Sequence, residues 1–329
     1  MDRLKALVGR YMAAPRTLSR IDALEEQVKA LGSRETGEPT SKVSRQELDR
    51  TDRRLRARLL DGTRGLAPFM SVAIDGTVYF FDPSDPTGSE LFLDRKPRTD
   101  HTRLRRAVHA LDRAGAATQR RTFLDVGAHI GTTTLFALRH LRFSDAVAIE
   151  PSLENMRLLR LGVLANGLED VVKTVLAAVS DQEGIAELVV GGLGSEYHHL
   201  PRAGPSSALR ELVKNTTLDT LAAAGVFDPD HVSLAWLDIE GYEMHALAAG
   251  TCLLERGVPL VIEVCRDKLI ETGKLGDVAS LLGQHYTDVL DLSPSSAEAQ
   301  FVPVAEAEAL IESYGRRCTD LLVCRLPPS

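Results

Sequence analysis

"TFLDVGAHIGTTTLFAL" (residues 122–138) runs from an apolar, β-rich stretch through a glycine turn into an apolar helix. Strand, glycine turn and helix in that order open a βαβ unit, and such a turn lies at the carboxyl end of the sheet, where open α/β folds bind ligands. A dinucleotide turn reads G-x-G-x-x-G, with glycines at 127, 129 and 132. Only Gly127 obeys, because His129 and Thr132 hold the other two places. Pyrophosphate needs close backbone approach at the second glycine, so an imidazole there argues against a nicotinamide cofactor.

What stands instead is Asp125-x-Gly127-x-x-x-Gly131. An acid ending the strand suits a cationic amine, directly or through water. Two glycines four apart clear a bulky zwitterion such as the methionine part of S-adenosylmethionine. The candidate cradle is therefore Asp125, Gly127, Ala128, His129 and Gly131. Twenty-five residues after Asp125, one βαβ step, "AIEPS" places Glu150 last in the next strand. A carboxylate there accepts ribose hydroxyls and repels a 2′-phosphate. After a third strand, "LAAVSDQEG" puts Ser180 and Asp181 where the adenine is met, or where they simply make the turn before Gly184.

Further along, "VSLAWLDIEGYEMHALAAG" (232–250) is an apolar strand with Asp238 and Glu240 at its end, two apart and so expected on one side of the strand. Strands are expected near 122–127, 145–150, 171–178, 232–239 and 258–264, and helices near 131–142, 153–166, 241–254 and 275–283. That alternation implies a doubly wound, mostly parallel sheet, and the two β-rich runs around 286–292 and 318–326 suit an antiparallel final pair.

In order, "FLDVGAHIG", "AIEPSLENMRLLRLGVLAN", "AVSDQEG", "TLDTL", "LDIEGYE" and "LVIEV" resemble the FkbM family of S-adenosylmethionine-dependent methyltransferases, over about residues 120–265. The resemblance implies a class I methyltransferase (Rossmann-like) fold with a seven-stranded sheet, and O-methylation of hydroxyls on sugars, glycans or secondary metabolites. Where this chain has His129, the family turn more often has asparagine.

An alcohol is a weak nucleophile at neutral pH and benefits from a general base. Asp238 or Glu240 is expected to take its proton or orient it, with Glu263 of "VIEV" in support, Asp238 also bordering the cofactor and His129 facing the substrate. A magnesium-like ion on these oxygens would lower the hydroxyl pKa, but no metal site is assigned. The long irregular stretch 191–216 offers Tyr197, His198 and His199 to an acceptor. His245 reads as structural and Asp219 as a helix N-cap. The rival reading is a non-catalytic adaptor with a relic nucleotide-binding domain.

Upstream, "MSVAIDGTVYFFD" (70–82) is a hairpin around Asp75-Gly76, "DPSDPTG" a loop, and 101–114 a helix. Residues 43–60 form a charged helix. Ile21, Leu24, Val28 and Leu31 make a seam of about two heptads, which permits a short coiled coil and a homo-oligomer, and 32–41 is a linker. Three regions result: a helical extension (1–60), a hairpin and helix (61–120), and the methyltransferase domain (121–329). Residues 1–121 carry 24 Lys/Arg and 17 Asp/Glu, leaving 15 and 29 for the rest. Basic and acidic residues interleave in the arm, as on a solvated helix face, so no nucleic-acid partner is expected. No run of about 18 apolar residues predicts a membrane span. Cys252, Cys265, Cys318 and Cys324 show no paired spacing and read as reduced, buried thiols of a cytoplasmic protein.

Overall fold

The computed structural model describes residues 45–95, 98–116, 121–190, 198–201, 209–293 and 300–327. The seam at 21–31 and the linker at 32–41 lie outside them. The chain divides into two units, Met1–Arg56 and Ala57–Ser329. The charged helix is α1 (Arg45–Thr63).

In the second unit, β1 (Met70–Ile74) and β2 (Thr77–Phe81) pair antiparallel. Asp75 and Gly76 both take positive φ, 49° and 80°, as a two-residue hairpin turn requires. The expected loop after it is instead α2 (Pro86–Asp94), started by Asp85, whose carboxylate accepts the N–H groups of Thr87 and Gly88. Pro86 fits this start because the first helical residue has no N–H partner to lose. Helix α3 (Thr99–Arg113) follows.

The main sheet holds β3 (Thr122–Val126), β4 (Asp145–Glu150), β5 (Val172–Leu176), β9 (Val232–Leu237), β10 (Leu260–Cys265), β11 (Asp288–Asp291), β12 (Val302–Pro303) and β13 (Cys318–Cys324), in the order β12-β11-β13-β10-β9-β3-β4-β5. The run from β10 to β5 is parallel, and β13 pairs antiparallel with both β10 and β11. The fold is thus the expected α/β, mostly parallel class I methyltransferase sheet. Its eighth strand is the two-residue edge pair β12, too short to signal itself in sequence. A second sheet of β6 (Ala178–Val179), β8 (Arg210–Thr216) and β7 (Gly184–Val189) branches off after β5.

Alternate residues of each strand feed two apolar layers. Phe123, Trp236 and Val261 pack with Leu104 and Leu111 of α3, Phe81 of the hairpin, α4 (Thr132–His140) and α5 (Leu153–Ala165). Leu124, Leu237 and Ile262 pack with α6 (Leu218–Ala223), α7 (Glu243–Ala248), α8 (Thr251–Leu254), α9 (Arg266–Glu271), α10 (Val278–Gly283) and α11 (Ala307–Ser313). The expected helix over 241–254 is therefore two, broken near Gly250. Asn166 joins the hairpin to α5, accepting the Val78 N–H and donating to the Val78 carbonyl.

Two expectations are corrected. Cys265 and Cys318 form a disulfide, with Cα atoms 4.3 Å apart. They are register partners of β10 and β13, a proximity that a sequence separation of 53 conceals; Cys252 and Cys324 are free. Asp219 does not cap its own helix, since Thr217 caps α6. Its carboxylate instead accepts the N–H groups of Thr251 and Cys252 and the Thr251 hydroxyl, capping α8. Among the described residues no helix is long and apolar enough to cross a membrane.

Candidate functional site

Strand order reverses between β3 and β9, so their carboxyl ends diverge into a crevice. Gly127 stands at that point with φ of 90°. A Cβ on it would lie 1.9 Å from the Asp238 carbonyl oxygen, so no other residue fits. Gly127 and Ala128 donate their N–H groups to the Ile149 carbonyl, clamping the turn to β4. His129 has φ of 51°. That left-handed conformation is one which Asn, Asp and His tolerate better than most residues, the physical reason either can serve here. Gly131, at φ 85°, starts α4 over Leu159.

Asp125 is fully buried and does not line the crevice. One carboxylate oxygen accepts the hydroxyls of Thr133 (2.6 Å) and Thr134 in the first turn of α4, and the other has no partner. Burial pushes this carboxyl up to about 6. In this structure it anchors the helix behind the turn rather than reaching for an amine. Glu150 does reach the crevice. Its two oxygens accept the N–H of His129 (2.9 Å) and those of Ser152 (2.9 Å) and the Asn155 amide (3.2 Å). Burial raises its carboxyl to about 7.

The wall beyond β5 is apolar, made by Ala177, Ala178, Val179 and Leu188. Ser180 and Asp181 are not in it. The Ser180 hydroxyl accepts from the Gln182 N–H and the Asn215 amide, and Asp181 is bonded to His245 Nδ1 at 3.0 Å. Both make the turn and its supports, and His245 is structural as expected.

Asp238 and Glu240 share the crevice, though not through strand alternation. β9 ends at Leu237, and both lie in a tight turn in which Glu240 takes φ of 60° and Gly241 φ of 100°. Glu243 folds back to accept the N–H groups of Ile239 (2.9 Å) and Gly241 (3.1 Å), bracing the turn that leads into α7. Asp238 accepts no hydrogen bond from a described side chain or N–H. Burial, then Glu263 and Glu240 nearby, raise its carboxyl well above the usual range.

Glu263 stands off the crevice and is ion-paired to Lys268, a residue that no motif in the sequence marks. The Lys268 ammonium bridges Glu240 (2.5 Å) and Glu263 (2.7 Å). Its signal was present as a lysine in the first turn after the strand "VIEVC". Across the register, Asp320 opposes Glu263 and pairs with Arg103 at 2.6 Å. Asp238, Glu243 and Glu263 each bring an oxygen within 4.8 Å of the others, and Lys268 supplies positive charge there.

His129, His198, His199 and Tyr242 also line the crevice; Tyr197 lies outside the described residues. Burial, then the nearby Arg98, hold the His129 imidazole down at about 3, so it is neutral at pH 7. Burial likewise lowers His198, whose Nδ1 has no partner among the described residues. His199 Nδ1 is 2.6 Å from the Leu200 carbonyl. A carbonyl only accepts, so Nδ1 carries a proton. Tyr242 donates its hydroxyl to the Pro201 carbonyl.

The Methyltransferase FkbM domain family matches residues 125–291. No curated protein matches the chain. Among solved structures, TYW2 of M. jannaschii in complex with AdoMet is 12% identical, with 79% of this chain and 88% of that one covered at a TM-score of 0.39. TYW2 of P. horikoshii in complex with MeSAdo is 13% identical, covering 91% and 99% at 0.39. The human methyltransferase 10 domain containing protein is 12% identical, covering 88% and 100% at 0.36.

Proposed function

This chain belongs to the FkbM methyltransferase family, and from that premise we propose that it transfers a methyl group from S-adenosylmethionine to a hydroxyl on a sugar, glycan or secondary metabolite, with Asp238 as the proton acceptor. The observation that carries the reading is the Asp238 carboxyl, which meets the crevice beside the glycine turn with no hydrogen-bond partner among the described residues.

The residues fit the cofactor. Glu150 holds spare lone pairs toward the crevice for ribose hydroxyls, the apolar wall of Ala177–Val179 and Leu188 suits a purine face, and Gly127 leaves its backbone bare. When bound, S-adenosylmethionine supplies an electrophilic methyl group, so the protein's task is to orient the acceptor and manage its proton. Asp238 accepts that proton. A raised pKa makes the carboxylate a stronger base. His129 and His198, both held neutral by burial, present hydrogen-bonding groups without charge, a surface for an uncharged polyol.

Calorimetry with S-adenosylmethionine, S-adenosylhomocysteine and NADH tests the cofactor, and transfer of labelled methyl to a panel of hydroxyl compounds tests the reaction. Both adenosyl ligands are expected to bind and NADH to fail. D238N is expected to keep binding but lose about 10²–10⁴-fold in transfer. A folded protein that ignores both adenosyl ligands overturns the reading. Tight binding without turnover on any acceptor favours the adaptor.

A further inference from the structure

Three carboxylates and one ammonium meet behind the crevice, and the chain is strained to bring them there. Glu240 adopts φ of 60°, a left-handed conformation that costs a non-glycine residue energy and persists where its surroundings demand it. That conformation turns its carboxylate onto Lys268, which also holds Glu263 from the neighbouring strand. Gly241 lets α7 press against the lysine stem, since a Cβ there would come within 2.9 Å of Lys268 Cβ. Lys268 is therefore fixed at both its stem and its ammonium.

We propose that Lys268 is a positioning residue, a fixed counter-charge that sets the ionisation of the Asp238 carboxyl by neutralising Glu240 and Glu263. The inference rests on Asp238 as the proton acceptor. Around Asp238 stand Glu240 and Glu243 from its own turn and helix, Glu263 from β10, Lys268 from α9, and Asp320 from β13 with Arg103 of α3 upon it; across the crevice are His129 and His198. Lys268 is the positive charge bonded directly to this group's carboxylates, and Arg103 balances Asp320 from the far side. With Lys268 neutral, Asp238 would face two uncompensated anions and hold its proton to higher pH.

The test is a carbon-13 carboxyl titration of protein labelled in aspartate, with D238N assigning the signal and neither adenosyl ligand nor acceptor added. A result here is independent of whether the protein methylates anything; the calorimetry above decides that separately. In K268Q the amide still donates to one carboxylate, so the fold survives while the charge is lost. The Asp238 midpoint is expected to rise by about one pH unit or more, tenfold in proton affinity. K268R should restore it, and K268Q combined with E263Q should bring it back toward the parent by removing an anion with the cation. A midpoint unmoved in K268Q, or one that the double variant fails to restore, overturns the proposal.

Discussion

At the scale of the residue, geometry separates side chains that sequence presents as equals. Asp125, Glu150 and Asp238 each end a strand or its turn, yet one is sealed under a helix, one clamps a turn while facing the crevice, and one stands unbonded in it. Replacing Glu150 by alanine is expected to weaken both adenosyl ligands at least tenfold, or about 1.4 kcal/mol, in the same calorimeter. Buried acids also set the pH response. Glu150 and Glu243 are raised by burial to about 7 and Asp125 to about 6. The folded state therefore binds their protons more tightly than the unfolded chain. Their stabilising contribution is full below about pH 4, where unfolded carboxyls titrate, and is lost as pH rises to 7. The melting temperature should fall across that window, with E150Q flattening part of the decline. Gly127→Ala would force a Cβ to 1.9 Å from a carbonyl oxygen, at a cost of about 3 kcal/mol or more, visible in urea unfolding. His129→Asn keeps a residue tolerant of positive φ and should leave that stability intact.

Elements show which local signals survive tertiary contact. Helix α6 has its own cap in Thr217, so Asp219 is free to hold α8 from a distance of 32 residues in sequence. D219A is expected to cost about 1 kcal/mol, read as a shift in denaturant midpoint at constant slope. The Cys265–Cys318 disulfide closes β10 onto β13 at the point where α9, the helix of Lys268, begins. Reduction should lower stability by about 2–4 kcal/mol, checked by thermal melts with and without a thiol reductant. Neither link was legible along the chain, because one joins register partners of the sheet and the other two helices that only the tertiary fold makes neighbours. The hairpin, by contrast, was readable from Asp75-Gly76 and the flanking β-rich runs, since its turn geometry is local.

For the molecule as a whole, the reversal of strand order between β3 and β9 makes the crevice, and every crevice-lining residue comes from a strand end, a turn or the β6–β8 branch. The heptad spacing at 21–31 permits a homo-oligomer through the N-terminal region, an expectation that truncation tests. Deleting residues 1–44 should leave adenosyl binding unchanged while lowering the oligomeric state measured by light scattering. By itself the sequence determined the α/β alternation, the glycine turn that refuses a dinucleotide, and the carboxylates at Glu150 and Asp238. These are signals of period and spacing, carried within one strand and the turn after it. Tertiary structure alone decided that Asp125 is an anchor, that Ser180 and Asp181 stand outside the apolar wall of the crevice, and that Lys268 joins Glu240 to Glu263. Burial and ion pairing depend on which strands lie side by side, and linear spacing does not encode that adjacency.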